Sequence, residues 1–168
     1  MLDYIYRRRS IRKFHPDRPV EPEKVTELLR AAMAAPTARN FQGWRFIVVD
    51  GREDLDALAE HYPNAHMLST ATLCIVPVAD MSTFYYHQDL AAATENLLLA
   101  APGLGLGACW CGINPKRHDW AHEFFGVPED WWVFALLAVG YPAEDKPPNT
   151  WYDPAKVFHG RWGEVRNV

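Results

Sequence analysis

Apolar residues recur along the chain with two different periods, and the switches between them mark out the elements. From Pro22 to Ala35, the residues Val25, Leu28, Leu29, Ala32 and Met33 follow the i, i+3, i+4, i+7, i+8 spacing. That spacing predicts an amphipathic helix with Pro22 in its first turn and Pro36 as its stop. Trp44 to Val49 is a short apolar, β-branched run closed by Asp50-Gly51, and it reads as a buried strand followed by a turn. A helix is predicted from about Glu53 to Glu60. Leu73 to Ala79 is a second strand, whose Pro77 cannot donate to a ladder and pushes that end toward an edge or a bulge. His87 to Ala101 places Leu90, Thr94, Leu97, Leu98 and Ala101 on one face before Pro102-Gly103, which predicts a central apolar helix. Leu106 to Cys111 is a third strand. Asn114-Pro115 supplies a cap and first turn for a helix running to Phe125 and stopping at Gly126. Trp132 to Val139 is a fourth strand, and its unbroken apolar character predicts burial on both faces.

The stretch from Tyr141 to Val168 behaves differently. It has four prolines and no helical period, yet carries Trp151, Tyr152, Phe158 and Trp162. Four large aromatics are not kept in water at no cost, so residues 141–168 read as an arm that packs on a partner subunit. Residues 1–140 read as the single domain that a chain of 168 residues with 49% apolar content can build. Few strands and several helices predict an α+β layer.

Charge and cysteine content narrow the function. A formal net charge of −4 recommends neither nucleic acid nor an anionic membrane as partner. Its distribution says more: Arg7, Arg8, Arg9, Arg12, Lys13 and Arg18 place six of the 17 basic residues in the first 18 positions. Of the three cysteines, Cys109 and Cys111 are two apart, a poor disulfide framework, so reduced thiols are expected. No apolar leader core follows the N-terminal charges and no stretch approaches 18 uninterrupted apolar residues, which predicts a cytoplasmic protein without membrane contact. His118 and His122 have i, i+4 spacing, but with Cys109 and Cys111 they fit no usual zinc pattern, and no metal is assigned.

Three constellations carry chemistry. In Arg8-Arg9-Ser10-Ile11-Arg12-Lys13-Phe14, guanidinium forks and a hydroxyl sit together as phosphate recognition requires; a solvated basic turn has the same composition. The loop Ala35-Pro36-Thr37-Ala38-Arg39-Asn40-Phe41-Gln42-Gly43-Trp44 offers the amides of Asn40 and Gln42, which can donate and accept at the edge of a heterocycle, or satisfy local backbone groups in an ordinary connection. In Leu104-Gly105-Leu106-Gly107-Ala108-Cys109-Trp110-Cys111-Gly112 the glycines permit close backbone approach to a flat ligand, although the spacing is not a dinucleotide fingerprint.

Taken together, in this order and at these separations, the three motifs resemble the FMN-dependent nitroreductase family from Tyr4 to about Trp162, with the VGYP turn of Val139 to Pro142 adding to the likeness. The resemblance implies an α+β nitroreductase-like fold, a mainly antiparallel sheet flanked by helices, with the C-terminal arm exchanged in a homodimer. It implies that Arg8, Arg9 and Ser10 hold the FMN phosphate and ribityl end, and that Arg12 lies near the N1 and O2 edge of the isoalloxazine, where a cation stabilises the charge of the reduced ring. Pro36, Thr37 and Asn40 would come from the partner subunit, with Gln42 in the same loop. The backbone of Trp110, Cys111 and Gly112 would face N5, and Lys146 is the candidate for a further phosphate cation near the C-terminus. The sequence departs from the family's usual pattern in having Thr37 for Ser, Gly43 for Pro, Pro102 inside a helix that is ordinarily continuous, and His66 where a Lys is frequent. It is also short around Met81 to Tyr86, where an insertion often shapes the substrate pocket.

The function implied is reduction of nitroaromatics, quinones or similar small organic acceptors by NADH or NADPH through FMN, in a ping-pong scheme, with no catalytic acid or base assigned to the protein. Two other readings share the same motifs: a flavin enzyme of this fold that reduces an activated alkene or a carbon–halogen bond, and a non-catalytic FMN-binding or storage protein.

Overall fold

A computed structural model describes residues 2–166. Five strands form one antiparallel sheet: β1 (Trp44–Val49), β2 (Leu73–Asp80), β3 (Gly107–Gly112), β4 (Trp131–Val133) and β5 (Ala135–Gly140), in the order β1-β2-β5-β3 with β4 also pairing β2. The helices are α1 (Leu2–Arg7), α2 (Pro22–Met33), α3 (Arg52–His61), α4 (Tyr86–Gly103) and α5 (His118–Phe125), with short 3₁₀ turns at Ala38–Asn40, Pro63–Ser69, Pro115–Arg117 and Pro154–Lys156. The α+β class and the antiparallel sheet flanked by helices agree with the sequence expectation.

Each face of the sheet buries its own core. On one, α2 and α4 pack Leu28, Leu90, Leu97 and Ala101 against Ile75, Leu137 and Val139. On the other, α3, α5 and the Pro63–Ser69 turn pack Leu55, Leu58, Met67 and Ala121 against Cys74, Val76, Cys109 and Cys111. Alternation along β3 therefore sends Cys109 and Cys111 one way and Ala108 and Trp110 the other.

Two expectations about the strands need correction, and at Pro77 the bulge is realised and the edge is not. β1 is not fully buried: it is the edge strand, with only its terminal residues Trp44 and Val49 buried. Pro77 lies in β2, an interior strand paired on both sides, where it stands opposite Phe46. Its effect appears across the other edge. β2 pairs β5 through Ile75↔Leu137 but β4 through Val78↔Val133, so the register slips by one residue between them. The predicted single strand Trp132 to Val139 is consequently broken at Phe134, whose N–H still reaches Pro77 O at 2.9 Å. This is the bulge that a ladder adopts where a donor is missing. The helix predicted from Asn114 is likewise a 3₁₀ turn followed by α5; Asn114 Oδ1 caps it by accepting from Lys116 N–H at 3.0 Å, and Gly126 ends it at φ 63°.

The segment after α1 fastens the first constellation to the sheet. Ile11 N–H donates to Ala108 O, His15 N–H to Tyr141 O and Ala143 N–H to Lys13 O, all within 2.8–3.0 Å. The close approach depends on Gly107, where a methyl group would come within 2.8 Å of Ile11 Cγ1. The glycine expected to admit a flat ligand instead admits the chain's own N-terminal segment.

Candidate functional site

Residues separated by about 130 positions converge on this segment. Lys146 Nζ donates to Ser10 O at 2.6 Å and pairs with Glu144 at 3.2 Å. Glu144 Oε1 in turn accepts the Arg12 backbone N–H at 2.5 Å. Arg9 Nη1 donates to Pro147 O, while Arg8 Nε reaches Glu95 of α4 at 3.6 Å. Beside these groups lies a cavity of about 220 Å³ bordered by Arg7, Arg9, Lys146, Glu144 and Gly107. Ser10, Arg12, Glu144 and Lys146 are thus tied into one cluster with Arg9 beside it, while Arg8 reaches out to α4, so the basic run is a candidate anion site. The donor set suits a phosphate monoester, and the cavity is below the usual volume for a whole drug-sized ligand.

Glu144 and Glu95 were missed as members. Arg12 N–H, with Lys146 adding to it, holds the Glu144 carboxyl below the ordinary carboxylate range. Nothing in the sequence marks Glu144, because its partners are remote along the chain.

β3 continues from this cluster through the Ser10↔Ala108 bridge. Trp110 is 37% exposed and lies 5.4 Å from the Phe134 ring. Gly112 has open space where a side chain would stand. Cys111 is on the opposite face and buried, so only its backbone is available beside Trp110 and Gly112. Behind the strand, Cys109 is held low, at about 7, chiefly by the hydrogen bond from Cys111 and further by Arg12, Lys146 and His66, whereas the Cys111 thiol is raised. His66 is exposed, with Nδ1 3.1 Å from Pro63 O.

The loop with Pro36, Thr37, Asn40 and Gln42 is elsewhere. Gln42 N–H donates to Thr37 Oγ1 at 3.1 Å, and Gln42 Nε2 to Asn40 Oδ1 at 2.8 Å. Arg39, Asn40 and Gln42 all have φ between 52° and 55°, a left-handed conformation uncommon for non-glycine residues. One anchor is remote: Ala38 N–H donates to Asp89 Oδ1 on α4 at 3.1 Å. Gly43 is covered by Phe41, whose ring a methyl group there would strike at 2.4 Å. Among the described residues no hydrogen bond or ion pair joins this loop to the Arg8–Lys146 cluster. Asp89 and Glu95 are themselves about 9 Å apart along the helix axis at 1.5 Å per residue. One chain therefore holds the basic cluster and, separately, a strained polar loop.

No helix among the described residues is long and apolar enough to cross a membrane. His118 stacks on Trp132 at 3.8 Å and His122 Nδ1 lies 3.0 Å from Val127 O, and His118 is lowered by burial and by His122. Among the described residues no three His, Cys, Asp or Glu side chains gather as a metal-ligand set.

The chain matches the profile of the nitroreductase family over residues 5–71 and 61–141. It is 40% identical over 171 residues to a candidate NADH dehydrogenase/NAD(P)H nitroreductase of Archaeoglobus fulgidus, covering 96% of this chain and 98% of that one. A crystal structure of a protein from Parabacteroides distasonis, given the same candidate function, superposes with a TM-score of 0.91 at 38% identity, over 96% of this chain and 98% of the other. An FMN-dependent nitroreductase from Clostridium difficile gives a TM-score of 0.90 at 30% identity, over 96% of this chain and all of the other.

Proposed function

The chain belongs to the nitroreductase family, and from that premise we propose that it is an FMN-dependent oxidoreductase that reduces nitroaromatics, quinones or similar small acceptors with NADH or NADPH. The observation that carries this reading is a cavity at the start of β3 lined by Arg7, Arg9 and Lys146, with Lys146 bonded to Ser10 O and Ser10 bridged to Ala108. Bound there, FMN would take hydride from the nicotinamide and pass it to the acceptor. Arg8, Arg9, Ser10 and Lys146 hold the phosphate and ribityl end in this reading, and Arg12 stabilises negative charge at the N1 and O2 edge. The backbone of Trp110, Cys111 and Gly112 leaves room for the ring above the strand, since Trp110 is half-exposed and Gly112 presents no side chain.

The protein works as a homodimer in this proposal, each site closed by Pro36, Thr37, Asn40 and Gln42 of the other copy. Two exposed apolar features support it. A groove of about 740 Å³ lies between α1, α2 and α4, lined by Tyr4, Ile5, Leu99 and Leu104. In the arm, Trp151 and Trp162 are 69% and 89% exposed, large apolar rings that a partner surface would cover. Nicotinamide and acceptor use one cleft in turn, because hydride transfer needs its partners about 3–3.5 Å apart and only one ring fits there at a time. The reaction is accordingly ping-pong.

The test is the absorbance spectrum of the purified protein. A flavin spectrum with FMN released on denaturation is expected, and parallel double-reciprocal plots should follow with either nicotinamide. A colourless protein that takes up no added FMN would overturn the reading.

A further inference from the structure

Residues 9–15 and 141–147 run side by side as an irregular antiparallel ribbon, and six links between them keep one register. His15 N–H donates to Tyr141 O at 3.0 Å, Phe14 and Pro142 form an antiparallel bridge, and Ala143 N–H donates to Lys13 O at 2.8 Å. The pairing then passes into side chains: Glu144 accepts the Arg12 N–H, Lys146 Nζ donates to Ser10 O, and Arg9 Nη1 donates to Pro147 O. Each step forward from Tyr141 is matched by one step back from His15. The basic cluster is the far end of this ribbon.

Tyr141 stands at the near end. It is 4% exposed and does not border the cavity beside the cluster. Its phenol O–H donates to the Glu21 carboxylate, 2.7 and 2.6 Å from the two oxygens, and its oxygen accepts from Lys24 Nζ at 2.6 Å. The Arg18 guanidinium covers the ring at 3.4 Å from its centroid. Glu21 is the N-cap residue of α2 and Lys24 lies in its first turn. The ribbon is therefore clamped to α2 at the residue where the chain leaves β5.

We infer, resting on the proposed FMN reading, that Tyr141 is a positioning residue for the phosphate end of the site: its hydroxyl fixes the register that sets Lys146 opposite Ser10 and Glu144 opposite Arg12. Register matters because the residues flanking Lys146 are Asp145 and Pro147. A slip of one residue sets either a carboxylate or a ring without a donor opposite Ser10. Main-chain bonds resist such a slip poorly here, since Pro142 and Pro147 donate nothing to a ladder. A phenol held between a carboxylate and an ammonium group is bound by short, charge-assisted bonds at one position only, and a slipped ribbon would draw it out of the clamp. The Arg18 contact needs the ring and not the hydroxyl. Tyr141→Phe thus removes the register lock while keeping the buried ring.

The test compares FMN with riboflavin, which has no phosphate, by titrating each into the full-length protein freed of flavin. In Tyr141→Phe, FMN affinity should fall by roughly three- to tenfold, part of what a hydrogen bond to a charged group contributes, and riboflavin affinity by less than about twofold. In a Lys146→Ala background the same substitution should cost FMN less than about twofold, because Tyr141 acts through Lys146. Hydrogen exchange in the flavin-free protein should quicken at the His15 and Ala143 N–H groups while β2 and α4 stay protected. Glu21→Gln keeps an acceptor for the phenol and should give a smaller FMN-selective loss, which keeps the role testable if Tyr141→Phe folds poorly. Equal losses of FMN and riboflavin, full additivity with Lys146→Ala, or unchanged exchange at Ala143 would each overturn the positioning role. Protein that binds neither flavin would overturn the FMN reading instead, and exchange at His15 and Ala143 would still decide whether Tyr141 holds the register.

Discussion

The anion site and the polar loop, both attached to α4, are built in opposite ways. Around Ser10 the backbone is tied by the Ala108 bridge and by Lys146, Arg12 is tied by Glu144, and Arg9 by Pro147. These contacts span the ends of the chain and leave the side chains already placed. The Thr37–Gln42 loop makes its bonds within itself, apart from the single Ala38–Asp89 contact, and keeps three non-glycine residues at positive φ. Strained backbone persists where surroundings over-determine it. A single chain supplies that surrounding for the anion site and much less of it for the loop. In the proposed dimer, the phosphate end of the site belongs to one subunit and its other wall to the second.

The largest effect should come from the tied region. Replacing Arg9 or Arg8 by Ala would remove a proposed charge-assisted contact to phosphate and should weaken FMN binding by about 1.5–3 kcal/mol each. Isothermal titration of flavin-free protein measures it. Lys116→Ala is the control, since Lys116 is exposed and, among the described residues, its side chain makes no hydrogen bond or ion pair. Equal, small losses at Arg8, Arg9 and Lys116 would show that the cluster is a solvated face after all.

The loop should respond more weakly and in a different observable. Asp89→Ala removes its one anchor to α4 and should cost about 0.5–1.5 kcal/mol locally. The expected result is faster amide exchange at Ala38 to Gln42 and a dimer that dissociates at higher concentration in sedimentation, with the phosphate contacts intact. Loss of FMN affinity as large as that of Arg9→Ala, without a change in association, would erase the distinction between the two regions.

The same contrast explains what was legible in the sequence. Arg8, Arg9 and Ser10 are adjacent, so the motif itself marked a candidate phosphate site, and the 3.6-residue period of α4 announced its buried face at Leu90, Leu97 and Ala101. Contacts closed across the whole chain left no such mark: Glu144 with Arg12 and Lys146 with Ser10 are products of topology. The split of β4 from β5 was hidden because a one-residue register slip at Phe134 does not interrupt an apolar run; Pro77, 57 positions before it, was the only sign. Gly107 was correctly marked as a place of close approach, but which group approaches, here Ile11, is a tertiary fact. α1 escaped notice because Tyr4, Ile5 and Tyr6 remain exposed and show no buried face.

The smallest effect concerns Glu144, which belongs to the tied region yet carries the wrong charge for it. Its carboxylate occupies two donors that a phosphate would use, the Arg12 N–H and Lys146 Nζ, so it competes with the ligand while ordering the site in its absence. Because its folded-state pKa lies below the unfolded value, its stabilising contribution is present above the ordinary carboxylate range and is lost as pH falls through the lowered value. The carboxylate is partly solvated, so that contribution is well under 1 kcal/mol. Glu144→Gln keeps an acceptor for Arg12 N–H and removes the charge. It should flatten the acid limb of the stability–pH curve slightly and tighten FMN binding at neutral pH by roughly two- to five-fold, the scale of one screened like charge near the phosphate. Weaker FMN binding in Glu144→Gln would mean that the carboxylate's ordering of Arg12 and Lys146 outweighs its repulsion, and that the anion site owes its readiness to the charge that opposes its ligand.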